Sequence, residues 1–432
     1  MIKILYSYFQ LKENNTSIKK EVIAGFTTFI TMAYIIVVNP EMMTKTGMNK
    51  DAIFVGTCIA AALACIIMGL YANWPVGLAP GMGLNAFFTY TVVIQMNYEW
   101  QVALGAVFLA GILFFIMSIT KLRSWMIDSI PFNLRIAMGA GVGLFIGFLG
   151  LQEGGIIITN EAVLLSIGDF QNTKTLLALL SFLLITSLAV RKIPGAIIIG
   201  ILITSLIALA LGLEKYQGIF DYPPEIAPTF MQLDIKGAFD IAMISIIMSF
   251  LFVNLFDTTG TLLGVGTRAN LIKEDGTAQN LDKALKADSS ASIFGTFFGC
   301  SPVTSYVESS AGIEAGGRTG LTAVVVGILF LGATFLSPLA SMVPEYATAG
   351  ALIYVSILMF SNVEKLNWSK MVNLIPAIII IIMIPLTFSI ANGIALGFLT
   401  FIVLKIVCGE IKTISGGAWF LTILFISNYI FL

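Results

Sequence analysis

The sequence predicts an all-α polytopic membrane protein whose fourteen spans form two inverted repeats of seven, with short extended breaks in spans 3 and 10. Three observations lead there. Of 432 residues, 58% are hydrophobic and 11% charged, the mean hydropathy is +0.96, and apolar segments recur from Val22 to Leu432, so a soluble domain of ordinary size does not fit. Lys and Arg segregate between alternate connections, as the positive-inside rule requires. Apolar stretches interrupted by glycine and proline occupy corresponding places in the two halves, around Pro80 and Pro302, as in transporters built from inverted repeats. The 40 glycines suit close helix packing and broken helices.

Apolar windows of about 17–25 residues place the spans at 22–44, 52–71, 76–96, 101–120, 132–151, 174–190, 194–212, 238–265, 287–300, 301–315, 319–339, 345–361, 371–389 and 391–408. The N-terminus before the first is polar (Lys12, Glu13, Asn14, Lys19, Lys20) and unlike a cleavable signal peptide. A further apolar stretch, Trp419 to Leu432, suits either another span or a helix lying in the interface. With a cytoplasmic N-terminus, only Lys45, Lys50, Lys174, Lys215 and Lys236 of the 23 Lys and Arg fall outside. Lys121, Arg123, Arg268, Lys273 and Arg318 are among those inside, and the external loops carry Glu153, Glu161, Asp169, Glu214, Asp221 and Glu225.

Composition also excludes chemistry. A net charge of −1 argues against a nucleic-acid partner. Cys58, Cys65, Cys300 and Cys408 sit in or beside apolar segments without metal-ligand spacing and read as buried free thiols. The chain has no histidine, which removes the usual proton shuttle and every His-based metal motif. No nucleophile–base pattern points to an enzyme, and neither a metal nor a cofactor is expected.

The doubling rests on matched breaks rather than on matched residues. V-G-L-A-P-G-M-G-L-N-A-F-F places Pro80 before a helix much as G-C-S-P-V-T-S-Y-V-E-S-S-A-G places Pro302. The 222 residues between Pro80 and Pro302 are close to half the chain, and the same shift sets Ile35 over Asp257. Seven spans per half is odd, so the second copy inserts upside down.

Three stretches are polar where the bilayer demands apolarity. In span 8, Asp257 is followed by Thr258, Thr259, Gly260 and Thr261; in span 3, Gly77, Pro80, Gly81 and Gly83 loosen the backbone before Asn85; in span 10, Val303 and Thr304 predict an extended break, with a half-helix starting near Ser305 and carrying Glu308. A carboxylate at membrane depth costs roughly 2.5–3.5 kcal/mol on insertion scales, so two of them mark a functional site. Half-helix N-termini near Asn85 and Ser305 would aim free N–H groups into the gap. Such a pocket suits a small, flat, uncharged molecule with several N–H and C=O or ring-N groups. Plainer roles stand beside these. Asn85 would equally bridge helices, at least one of the three threonines would bond back to its own helix, and Arg268 and Arg318 would serve topology at a cytoplasmic end, with Glu314 near that surface.

These motifs, with S-P-V-T-S-Y-V-E-S-S-A-G-I-E-A-G-G-R-T-G and L-F-V-N-L-F-D-T-T-G-T-L-L-G, resemble the AzgA-type purine permeases of the nucleobase/ascorbate transporter superfamily, from about Glu21 to Cys408. The resemblance implies core and gate domains, with the substrate between the short strands of spans 3 and 10. After a cytoplasmic N-terminus (1–20), the core would comprise 21–120 and 238–340 and the gate 121–212 and 345–408, with 409–432 of uncertain placement. It implies Asp257 and Glu308 as the carboxylates of the site, with Asn85, Gly83, Thr304 and Ser305 beside them. Uracil-permease relatives carry a histidine one turn after the acid of span 8; here that place is Thr261, so its role does not carry over.

The expected protein is therefore a multi-pass carrier of the plasma (inner) membrane that imports hypoxanthine, guanine or adenine by proton symport. Guanine and hypoxanthine suit an ionised Glu308 better than adenine does. Asp257 and Glu308 would carry the coupling proton, and superfamily relatives imply a homodimer. Sodium coupling, a uracil- or xanthine-type substrate, and a channel are the rival readings.

Overall fold

Backbone in hydrocarbon must bond to itself, so the apolar runs fold as helices. The computed structural model describes residues 2–120, 130–240, 243–272 and 279–431. Lys121, Arg123 and Lys273, expected at the cytoplasmic face, lie outside the described residues. In chain order the elements are α1 (Ile2–Tyr8), α2 (Ile18–Met32), α3 (Ile35–Thr44), α4 (Lys50–Ile67), β1 (Leu78–Pro80), α5 (Met82–Ala86), α6 (Trp100–Ile119) and α7 (Phe132–Glu153). A hairpin, β2 (Ile157–Asn160) and β3 (Leu164–Ile167), precedes α8 (Thr173–Val190) and α9 (Ala196–Ala210). The second half holds α10 (Met243–Arg268), α11 (Leu281–Phe297), β4 (Val303–Ser305), α12 (Ser309–Glu314), α13 (Gly320–Ala333), α14 (Ser337–Ser341), α15 (Glu345–Phe360), α16 (Met371–Thr387), α17 (Ile390–Val407) and α18 (Gly416–Phe431). Among the described residues, nine helical runs are long and apolar enough to cross a membrane, and α9 and α16 are shorter apolar helices.

Packing sorts these elements into two groups. The helices α2, α4, α6, α10, α11, α12 and α13 pack on one another around the paired strands β1 and β4, while α7, α8, α9, α15, α16 and α17 pack together beside them. Small residues set the closest approaches. A Cβ at Gly312 would lie 2.0 Å from Thr28 Oγ1 and 2.5 Å from the Ala24 carbonyl, so α12 docks on α2 only as glycine. Polar bonds cross between the groups at one end. Lys45 Nζ donates to Glu153 Oε1 at 2.6 Å, Tyr90 also donates to Glu153, and Thr91 Oγ1 donates to the Phe388 carbonyl at 2.5 Å.

Several expectations need correcting. The prolines are not equivalent: Pro80 is the last residue of β1, whereas Pro302 stands before β4. The strands themselves, beginning at Leu78 and Val303, repeat at an offset three residues longer than the proline match. The half-helix of span 10 starts at Ser309 instead of near Ser305, because residues 303–305 are held in strand pairing and Tyr306 N bonds to Gly77 O at 3.0 Å. In span 3 the helix starts at Met82, ahead of Asn85. Span 9 begins at Leu281, six residues before its apolar window, since L-D-K-A-L-K-A-D is helical despite its charges. Cys58, Cys65 and Cys300 are buried, but Cys408, at the end of α17, is exposed. The hairpin β2–β3 forms in what reads as an acidic loop. The C-terminal apolar stretch is the helix α18, which packs beside α17.

Candidate functional site

The site is built where two interrupted spans meet. β1 and β4 run antiparallel, with Leu78 opposite Ser305, Ala79 opposite Thr304 and Pro80 opposite Val303. The ladder continues through Gly81 N, which donates to Pro302 O at 2.9 Å. Each strand therefore satisfies the backbone that the other's helix break leaves open, which is the condition for non-helical chain at membrane depth. Tyr306 OH locks the crossing by donating to the Pro80 carbonyl at 2.5 Å.

Glu308 is the residue just before α12, and it is half-buried. Its Oε1 accepts from Tyr34 OH at 2.8 Å, and its own backbone N–H also reaches the carboxylate. Asp257, in the middle of α10, is likewise half-buried and lies within electrostatic range of Glu308. Among the described residues none donates a hydrogen bond to it. Two carboxylates on different interrupted or flanking helices thus share one region, one with a single side-chain donor and one with none. Such groups are available to N–H donors of a ligand or to a proton.

The other expected residues have protein partners. Asn85 is fully enclosed; its Nδ2 donates to Asn39 Oδ1 at 2.6 Å, its Oδ1 accepts from Ser301, and Asn39 in turn donates to Thr57 at 2.7 Å. Asn85 therefore bridges spans 1, 3 and 10. A Cβ on Gly83 would come within 2.1 Å of Val142 Cγ1, so this glycine lets α5 approach α7 of the neighbouring group. Thr304 Oγ1 lies 2.9 Å from Thr258 Oγ1, and Ser305 Oγ donates to Asp288 Oδ2 at 2.6 Å. Thr259 bonds back to Leu255 O at 2.6 Å, as one of the three threonines was expected to do. Arg268 and Glu314 form an exposed pair at 3.5 Å, and Arg318 donates to the Ile313 carbonyl in the last turn of α12 and to the Gly317 carbonyl beyond it.

Two residues that sequence reasoning missed complete the arrangement. Asp288 of α11 is fully buried, with Thr258 Oγ1 donating to Oδ1 at 2.8 Å and Ser305 to Oδ2. It ties α10 and α11 to β4. Its signal was hidden by Lys283 and Lys286, which make the segment read as an aqueous helix end. Tyr34 sits where the first span tightens, with Ile36 N bonding to Ala33 O at 3.2 Å and Val37 N to Tyr34 O at 3.1 Å. A tyrosine in an apolar run is unremarked by hydropathy, so nothing in the sequence distinguished it.

Comparison with known proteins agrees with this architecture. A model described as "Permease family" matches residues 19–396. The chain is 46% identical to adenine permease AdeP of Escherichia coli (strain K12) over 429 residues, covering 99% of this chain and 96% of the relative. It is 42% identical to guanine/hypoxanthine permease PbuG of Bacillus subtilis (strain 168) over 438 residues, covering 99% of each. In fold it is similar to the transmembrane domain of a cyanobacterium bicarbonate transporter, BicA, with a TM-score of 0.64 at 15% identity, covering 90% of this chain and 96% of that one. The 7+7 inverted-repeat arrangement is that of this fold. With its family model matched over most of its length, the chain belongs to the permease family as one of its AzgA-type members, a membrane transporter and not an enzyme.

Proposed function

We propose that the protein imports purine nucleobases across the plasma membrane by proton symport, with Glu308 reading the base and Asp257 carrying the coupling proton. The observation that carries this reading is the contrast in partners: Asn85, Asp288, Thr304 and Ser305 bond to other side chains, whereas Asp257 has no described donor and Glu308 has one side-chain donor. A half-buried carboxylate accepts parallel N–H bonds from one edge of a base, which fixes the base in its plane. Guanine and hypoxanthine present N1–H to an ionised acceptor and are favoured; adenine presents a ring-N acceptor there. The relatives include both an adenine and a guanine/hypoxanthine permease, so adenine is the second reading. Thr304 and Ser305 contribute the strand backbone to the cradle, while Asn85 and Gly83 hold it in place.

Transport follows from the two packing groups. Fourteen spans with a cytoplasmic N-terminus divide into a core (21–120 and 238–340) and a gate (121–212 and 345–408), and movement of one against the other exposes the site alternately. The bonds from Lys45 and Tyr90 to Glu153, from Thr91 to Phe388 and from Gln95 to Thr387 are among those such a movement would break. The dimer of the superfamily would form through the gate.

Uptake into proteoliposomes tests the proposal. Labelled adenine, guanine and hypoxanthine are offered under a pH gradient or a sodium gradient, with uracil as competitor and a protonophore as control. Accumulation of guanine or hypoxanthine driven by the pH gradient and abolished by the protonophore is expected. Accumulation driven by sodium alone, or unaccumulated flux that a protonophore leaves unchanged, rejects proton symport in favour of sodium coupling or a channel.

A further inference from the structure

Glu308 is reached by one side-chain hydroxyl, and that hydroxyl comes from a different span. Tyr34 is 1% exposed, its OH lies 2.8 Å from Glu308 Oε1, and it stands at the tightened turn between α2 and α3. Thr31, on the same stretch, donates to Thr28 O at 2.7 Å and lies 3.4 Å from the Glu308 carbonyl. The Tyr34 ring lies 6.5 Å from that of Tyr306, whose own hydroxyl is spent on Pro80 O. Spans 1, 3 and 10 are thus joined through two tyrosines, and the base-reading carboxylate is held at the end of that chain.

We propose that Tyr34 is the positioning residue for Glu308, fixing the plane of the carboxyl group so that Oε2 is the oxygen presented to the base. The inference rests on the assignment of Glu308 as the base-reading group. An unrestrained Glu side chain occupies several rotamers, and selecting one on binding weakens affinity. A phenol is suited to this task because its oxygen both donates and accepts. It partners an ionised Glu308 as donor and a protonated Glu308 as acceptor, so the orientation survives a change of protonation at the site. Burial of the Tyr34 ring removes its own freedom, which makes the hydroxyl a fixed point.

The test uses the full chain, purified and reconstituted, with Tyr34→Phe, Glu308→Gln and the double variant. Adenine, guanine and hypoxanthine are each titrated for Kd, and uptake gives kcat and KM. Tyr34→Phe is expected to raise Kd and KM severalfold, up to about tenfold, for the transported base, the scale of immobilising one rotamer-rich side chain on binding. Turnover at saturation should stay close to wild type. In the Glu308→Gln background the Tyr34→Phe change should add little further loss, because the group it positions is already altered. Unchanged Kd in Tyr34→Phe, or a fall confined to kcat, overturns the positioning role. Losses in the two single variants that add fully in the double variant also overturn it, since Tyr34 would then act independently of Glu308. Unchanged binding in Glu308→Gln alone would instead reject the base-reading assignment.

Discussion

In span 3, the break at Leu78–Pro80 leads into a half-helix whose polar side chain, Asn85, is enclosed and bonded to Asn39 and Ser301. In span 10, the break at Val303–Ser305 leads into one whose first side chain, Glu308, stays half-buried with a single donor from another residue's side chain. The two breaks pair with each other strand to strand, so their backbones are nearly interchangeable. Their side chains are not. The side chain of one break holds three spans together, and that of the other, with one side-chain donor among the described residues, is the group proposed to read the ligand. Inverted repeats make this division possible, because a duplicated break needs only one copy to carry chemistry once the other supplies the scaffold.

Asp257→Asn should have the largest effect on this scheme. It removes the span 8 acid to which no described residue donates while leaving both strands intact, so purine binding and exchange should persist and gradient-driven accumulation should be lost. The check is uptake in proteoliposomes under an imposed pH gradient; accumulation at the wild-type level would move the coupling proton elsewhere.

Gly83→Val sharpens the comparison from the scaffold side. The added side chain would meet Val142 at a distance where something must move, and overpacking costs about 1–3 kcal/mol. Transport should fall severalfold while Kd for purine, measured on the purified variant, changes little. A large loss of affinity with intact turnover would place Gly83 at the ligand instead.

Asp288→Asn should act more mildly. The amide keeps one acceptor but sets an NH2 against either Thr258 or Ser305, which both donate to the present carboxylate. Thermal unfolding should report a stability loss of about 1 kcal/mol, with a weaker hold on β4. An unchanged melting temperature would mean that the network is not needed to support the strand.

Much of this was legible in the sequence, and the reasons differ by residue. Asp257 and Glu308 stand out because a carboxylate in an apolar run has no cheap explanation. The helix positions follow from apolar length, and the breaks from glycine and proline in span 3 and from β-branched residues beside a proline in span 10. Asp288 was lost because neighbouring lysines gave its segment the look of a solvated end, although the chain folds it inward to meet Thr258 and Ser305. Tyr34 was lost because its importance lies in a contact with a residue far along the chain, which local composition does not encode. The repeat offset was misjudged because a proline is tolerated both at the end of β1 and just before β4. The roles of Asn85, bridge or ligand contact, are indistinguishable by residue type, and the structure supplies the partners of a bridge in Asn39 and Ser301.

The central claim is that the two breaks divide scaffold from recognition, and the most direct measurement is purine affinity in Glu308→Gln and Asn85→Ala side by side. Each variant is purified, its folded fraction is established by size-exclusion and thermal melting, and Kd is measured for adenine, guanine and hypoxanthine. The account predicts a loss of roughly tenfold or more in Glu308→Gln, the scale of a base N–H left facing a donor, and affinity within about twofold of wild type per folded Asn85→Ala molecule, whose melting temperature falls. Wild-type affinity in Glu308→Gln together with lost affinity in a well-folded Asn85→Ala would contradict it, and would place recognition on the other break.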